Sequence, residues 1–173
     1  MDFAALKNSF AQLTADAGVD DASLVVWFNE AQLDIALEAG NVVKQIFADA
    51  AAGIGYDKPP RCIRVEDCSV NYTISPEGKL VFAVGGDIDV YYRQAPREFA
   101  LSDSGMKCEL DQLLHSLIPL FAASRYWDQE SEGDYEESGH GNKWMNYYLQ
   151  GKAQRIKTLG GWGNQLDRWT VED

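Results

Sequence analysis

Residues 59–94 read PPRCIRVEDCSVNYTISPEGKLVFAVGGDIDVYYRQ and interrupt an otherwise helical sequence pattern. The stretch contains four runs rich in β-branched and aromatic residues, and turn-forming residues separate each run from the next. In the last run Ile88 and Val90 alternate with Asp89, which is the two-residue period of a strand with one packed face. The pattern predicts a small antiparallel β-meander over residues 61–93.

On both sides of this stretch, apolar residues recur with the period of an α-helix. The spacing predicts helices at about residues 3–15, 21–38, 109–130 and 142–159. Pro119 lies inside the third of these, and because the apolar pattern continues on both sides we expect it to bend that helix near His115. Residues 42–52 begin with β-branched side chains but become helical in composition, and we interpret them as a short additional helix.

These elements predict an α+β fold, a bundle of four or five helices with one appended antiparallel sheet, in a single domain over residues 1–159. Residues 160–173, GGWGNQLDRWTVED, have too little pattern to fold alone, so we expect an extended C-terminal tail. Its large apolar residues would anchor it on a neighbouring subunit or another partner: Trp162, Leu166, Trp169 and Val171. The alternative is that the tail folds back over its own bundle.

The net charge excludes an ordinary nucleic-acid-binding protein. The 173 residues include 27 acidic and 15 basic side chains, which gives a formal charge of -12, whereas binding to phosphates depends on Lys and Arg. Hydrophobic residues make up 46% of the chain, so it is not a disordered acidic segment. The sequence has no signal-peptide pattern and no apolar run long enough for a membrane span, so we expect a soluble protein.

Cysteine and histidine give no sign of a metal site or a catalytic site. Cys62, Cys68 and Cys108 are an odd number without zinc-ligand spacing, so we expect free thiols. We expect His115, on the apolar stripe of its helix, to be packed and hydrogen-bonded, and His140 to be exposed. No serine lies in a recognised nucleophile motif. We therefore expect no catalytic activity and no cofactor.

An acidic loop follows the third predicted helix. It carries five carboxylates, namely Glu130, Glu132, Asp134, Glu136 and Glu137. Such oxygens could collect a hard divalent cation, but their spacing does not match an EF-hand. We expect a solvated loop without metal, and a small metal-dependent hydrolase is the weakest interpretation of the chain.

Two blocks of the sequence carry packing and loop patterns in a fixed order. Residues 25–40 read VVWFNEAQLDIALEAG. Residues 91–156 hold an aromatic strand that ends in a proline, a Ser/Asp loop, an acidic start to a Leu/His-rich helix, a Y-W-x-x-E ending and a final helix with paired tyrosines. Together the blocks resemble phage head-to-tail connector proteins, also called neck adaptors or head completion proteins, in which the first block has the form W-[IL]-N-E-A-Q-x-D-I-A.

The resemblance implies a non-enzymatic virion protein that is assembled in the host cytoplasm and lies in the neck between capsid and tail. Such proteins form a homo-oligomeric ring, typically of twelve copies, beneath the portal protein. The ring extends the DNA channel and offers tail-side proteins a docking face, and packaged DNA passes through without specific binding. The bundle would form the ring, the tail of residues 160–173 would hold the portal, and the acidic loop would face the channel or an interface.

The charge suits this expectation, because an acidic channel repels phosphate and lets DNA slide. The alternative from another class is an acidic DNA mimic that inhibits a host DNA-binding protein. A mimic would be a monomer or dimer that binds a basic host protein, whereas a connector would form or join a large ring.

Overall fold

The structure, a computed structural model of the chain, describes residues 1–103, 105–130 and 138–159. The described residues divide into two compact units. The helical unit comprises Met1–Ala39 and the described residues from Arg97 onward, and the β unit comprises Gly40–Pro96.

The predicted fold is wrong in its β part and in its fifth helix. Over the described residues the chain is an α+β protein with four α-helices and two three-stranded antiparallel sheets, in place of a bundle with one appended sheet. The extended tail of the prediction, residues 160–173, lies outside the described residues.

The helical unit contains α1 (Phe3–Thr14), α2 (Asp21–Ala39), α3 (Leu117–Glu130) and α4 (Ser138–Thr158). Helix α1 begins where the Asp2 carboxylate accepts a hydrogen bond from the Ala5 amide at 2.9 Å, which satisfies one of the donors that a helix start leaves open. The core of the helical unit contains apolar residues that the helical period predicted to face inward, among them Phe10, Phe28 and Ile35, together with Tyr148.

Helix α4 begins four residues earlier than predicted and includes Gly139, Gly141 and Gly151. At Gly141 and Gly151 the helix passes very close to α3. A Cβ atom on Gly141 would overlap the Asp128 carboxylate, and one on Gly151 would lie 2.9 Å from a methyl carbon of Leu117.

The predicted bent helix over residues 109–130 is wrong in its first part. Gln112–Leu114 form a short 3₁₀ turn, and α3 begins at Leu117. The turn is closed by Asp111, whose carboxylate accepts a hydrogen bond from the Leu113 amide at 2.8 Å. Pro119 is the third residue of α3, where a helix amide has no intrahelical partner, so the proline marks the start of the helix and does not bend it.

The β unit contains six strands: β1 (Val42–Ala50), β2 (Gly55–Tyr56), β3 (Cys62–Cys68), β4 (Tyr72–Ile74), β5 (Leu80–Phe82) and β6 (Gly86–Gln94). The predicted short helix at residues 42–52 is wrong, because β1 pairs antiparallel with β6 from Val42 opposite Arg93 to Ala50 opposite Gly86. The four predicted β runs are strands, but they do not form one meander. The orders are β1-β6-β3 in one sheet and β2-β5-β4 in the other.

A single apolar cluster holds the β unit together. Its buried residues are Ala50, Leu80, Phe82, Ile88 and Val90, and they come from both sheets. The rings of Phe47 and Tyr56 pack on Phe82, with centroid distances of 5.3 and 5.6 Å. The sheets therefore share one core, which explains why β1 is held as a strand in spite of its helical composition.

Candidate interaction site

The two site regions predicted from sequence lie mainly outside the described residues. Of the acidic loop, Glu130 is the exposed last residue of α3. The other four carboxylates lie outside the described residues: Glu132, Asp134, Glu136 and Glu137. The same holds for the four anchor residues of the tail: Trp162, Leu166, Trp169 and Val171.

His115 is packed and hydrogen-bonded, as predicted. Its side chain is buried, and its Nε2 lies 2.8 Å from the carbonyl oxygen of Leu110. Burial lowers the pKa of this imidazole. His140 is exposed, also as predicted, although it lies in α4 and its ring is 5.1 Å from that of Trp127.

The three cysteines are free thiols, as predicted, but of the three, which we expect from the sequence to be buried, only Cys108 is; Cys62 and Cys68 are partly exposed. Burial raises the pKa of the Cys108 thiol and of the Cys62 thiol. A raised pKa keeps a thiol protonated near neutral pH, so these two cysteines are poor nucleophiles. Among the described residues no three His, Cys, Asp or Glu side chains are grouped closely enough to hold a metal ion.

The β unit has an open surface cavity of about 270 Å³ beside strands β4 and β5. Its lining includes Asn71, Tyr72, Thr73 and Phe82, and no charged side chain. The lining contains the Tyr72 and Thr73 hydroxyls but no histidine, carboxylate or lysine that could activate them as nucleophiles.

Helix α2 carries apolar residues on two opposite sides. Trp27, Phe28 and Ile35 are buried in the core. Val26, Leu33 and Leu37 are 53%, 48% and 45% exposed. Because they are seven and four residues apart, they lie along one line on the outside of the helix.

Glu30 lies on the same line, half exposed, with its carboxylate 3.5 Å from the guanidinium of Arg125. We call Val26, Glu30, Leu33 and Leu37 the α2 face. It is an apolar stripe with one acidic residue, on a helix that carries four acidic residues and no basic one.

Helix α4 has the opposite charge. It contains Lys143, Lys152, Arg155 and Lys157 and no acidic residue. Its outer side is defined by five exposed residues at helical spacing, Lys143, Tyr147, Gln150, Gln154 and Lys157, and we call them the α4 face. The Lys143 ammonium lies 6.0 Å from the centre of the Tyr147 ring, within the range of a cation–π contact.

A polar cluster joins α2 to α4 inside the helical unit. The Lys152 ammonium is 2.7 Å from the Asp34 carboxylate and 2.7 Å from that of Glu38. The Tyr148 hydroxyl donates a short hydrogen bond to Asp34. The Lys152 side chain is only 8% exposed, so the cluster fixes how these two helices pack.

The charges in this cluster reinforce each other. Burial alone would raise the pKa of Asp34, but hydrogen bonds from Lys152 and Tyr148 hold it below its usual value. Burial would lower the pKa of Lys152, and the two carboxylates raise it instead. Burial and the bond to Asp34 raise the pKa of the Tyr148 hydroxyl far above its usual value. Asp34, Tyr148 and Lys152 therefore keep their ordinary charges near neutral pH.

Sequence reasoning missed this cluster, although it left a signal. Asp34 and Glu38 are four residues apart on one helix, and Tyr148 and Lys152 are four residues apart on another. Such spacing places each pair on one side of its helix. It does not say which helix faces which.

No model of a known protein family matches the chain, and no curated protein matches its sequence. None of the helices formed by the described residues is long and apolar enough to cross a membrane.

Proposed function

We propose that the protein is a head-to-tail connector of a tailed phage. It forms a homo-oligomeric ring, typically twelvefold in this class, beneath the portal protein. The ring extends the DNA channel and provides a docking surface for tail-side proteins. The protein is structural, needs no cofactor, is assembled in the host cytoplasm and lies in the virion neck.

The observation that carries the proposal is where the two connector-like blocks lie in the fold. The block at residues 25–40 covers most of α2, and the block at residues 91–156 covers the end of β6, α3 and most of α4. These helices pack on one another through the Asp34–Lys152 pair and the close approach at Gly151. The helical parts of the two blocks therefore pack against each other within the helical unit.

The charge distribution supports a connector over a DNA mimic. A mimic must present a continuous acidic surface in place of phosphates. Helix α4 interrupts such a surface with Lys143, Arg155 and Lys157 and carries no acidic residue. A ring around DNA needs acidic residues only where it faces the channel.

Phage particles made without this chain provide the test. We expect filled heads that lack tails, and tailed particles when the chain is supplied in trans. Gold-labelled antibody against the chain should mark the neck of normal particles in electron micrographs. Tailed, infectious particles without the chain would contradict the proposal, and binding of the chain to a basic host protein would favour the mimic.

The role of the C-terminal tail is a separate part of the proposal and rests on sequence alone. Deleting residues 162–173 should leave the thermal midpoint nearly unchanged and abolish attachment to filled capsids. Serine in place of the four anchor residues should do the same: Trp162, Leu166, Trp169 and Val171. Serine at Asn164, Gln165 and Thr170 is the control. Normal incorporation of the truncated chain would mean that another surface holds the portal.

A further inference from the structure

We propose that copies of this chain contact each other head to tail, with the α2 face of one copy packed against the α4 face of the next. This inference deepens the proposed function and rests on it for the closed ring. The two surfaces are Val26, Glu30, Leu33 and Leu37 on one copy and Lys143, Tyr147, Gln150, Gln154 and Lys157 on the other.

The α2 face has the composition of an interface. Three large aliphatic side chains, each about half exposed, stand in one line on a helix whose opposite side already fills the core. Isolated exposed apolar residues are ordinary on a protein surface, but an aligned group is typical of a docking surface. Burying the group against another helix removes apolar area from water and so favours association.

The charges favour the α4 face of a second copy as the binding partner of the α2 face. The α2 face carries Glu30 and no basic side chain, and the α4 face carries Lys143 and Lys157 and no acidic one. Pairing α2 with α2, or α4 with α4, would bring like charges together. Pairing α2 with α4 brings opposite charges together, and Lys143 or Lys157 of one copy can approach Glu30 of the next.

The two faces also match in length and side-chain type. From Val26 to Leu37 the α2 face runs about 16 Å, and from Lys143 to Lys157 the α4 face runs about 21 Å, at 1.5 Å per residue. Tyr147 is 48% exposed and gives the α4 face an aromatic anchor for the aliphatic stripe.

The pairing is heterologous, because the two contacting surfaces are different parts of the same chain. An open assembly of copies then has an unused α2 face at one end and an unused α4 face at the other. Such contacts produce closed rings or open filaments, whereas a self-complementary face would stop at a dimer. A heterologous α2–α4 contact is therefore the kind that a connector ring requires.

Four variants of the full chain test the contact, with the mass of the assemblies measured by analytical ultracentrifugation over a range of concentrations. Leu33→Glu damages the α2 face, and Ile74→Glu is its control, because Ile74 is equally exposed, at 48%, but lies in the β unit. Lys143→Glu with Lys157→Glu damages the α4 face. Lys58→Glu with Lys79→Glu in the β unit makes the same change in net charge. Thermal midpoints check that each variant folds.

We expect each face variant to weaken self-association by about tenfold or more and each control to change it less than about threefold. The decisive sample is an equimolar mixture of the two face variants. Each retains one intact face, so the mixture should form one-to-one pairs and nothing larger. High salt should weaken the wild-type contact, since part of the attraction is between exposed charges.

Three results would overturn the inference: equal self-association of Leu33→Glu and Ile74→Glu, a mixture that forms no pairs, or a wild-type chain that stays monomeric at every concentration. The last result would leave the proposed function standing, because a ring could still form on the portal. Conversely, assemblies that depend on both faces but do not bind the portal would count against the proposed function and leave the contact established.

Discussion

At the residue scale, Lys152 is the side chain on which the helical unit depends most clearly. It is nearly buried, and its ammonium is shared by two carboxylates of α2. Removing one partner of a buried ion pair is strongly destabilising, because the remaining charges lose their compensation. Here the effect is moderated, since the Asp34 and Glu38 side chains are 41% and 56% exposed.

We therefore predict that Lys152→Met lowers the free energy of unfolding by about 1–3 kcal/mol. The matched control is Lys7→Met, which removes the exposed Lys7–Asp21 pair at 2.6 Å and should cost less than about 1 kcal/mol. Urea denaturation of both variants at neutral pH measures the difference. Equal losses would mean that the Lys152 cluster contributes no more than an ordinary surface pair.

The same cluster predicts a dependence on acid. Because the pKa of Asp34 in the folded chain lies below its ordinary value of 3.8, its charge stabilises the fold above that value. The contribution is lost as the pH falls through the lowered pKa. Asp34→Asn should therefore be less stable than the wild type near neutral pH, and the gap should shrink below about pH 4. Thermal unfolding at a series of pH values checks this, and a gap that stays constant into the acid range would contradict it.

Among the helices and strands, the local sequence pattern was enough to predict the bounds of an element where its apolar residues follow a regular helical period. The helices α1 and α2 lie within one residue of the predicted bounds, because apolar residues such as Leu6 and Phe28 mark one side of each. The pattern failed where partners distant in sequence decide the structure. The stretch at residues 42–52 begins with β-branched side chains, becomes helical in composition and was predicted to be a short helix, but Val42–Ala50 form a strand because they pair with β6.

The candidate site was predictable only in part for a similar reason. The sequence drew attention to the acidic loop and to the tail, which have unusual composition. The apolar residues of the α2 face also have a regular spacing in the sequence, seven and four residues apart. The same helix carries a second set of apolar residues, and the sequence does not show which set faces solvent. Leu33 and Ile35 lie on opposite sides of α2, and the structure shows that Leu33 is 48% exposed whereas Ile35 is buried.

For the β unit, the element-scale prediction concerns the core that its two sheets share. Phe82→Ala should lower the free energy of unfolding by about 3–5 kcal/mol, because the ring is 1% exposed and packs on Phe47 and Tyr56. Ile74→Ala on the neighbouring strand β4 is the control, since Ile74 is 48% exposed, and it should change the value by less than about 1 kcal/mol. Similar losses in denaturant titrations would mean that Phe82 is not the centre of the core.

At the scale of the whole molecule, the notable property is how the charge is divided. A net charge of -12 keeps free copies apart and repels DNA. The basic helix α4 provides the local attraction that assembly needs. A single chain thus carries both the repulsion that suits a DNA channel and the complementary surfaces that suit a ring.

The native mass of the purified chain, alone and mixed with portal rings of the proposed phage, is the most direct test of whether the chain is a head-to-tail connector. For a connector we expect a complex in which many copies of the chain, in a number set by the portal's symmetry, are bound to one portal ring. A chain that remains a monomer or dimer in the presence of portal would contradict the assignment as a connector.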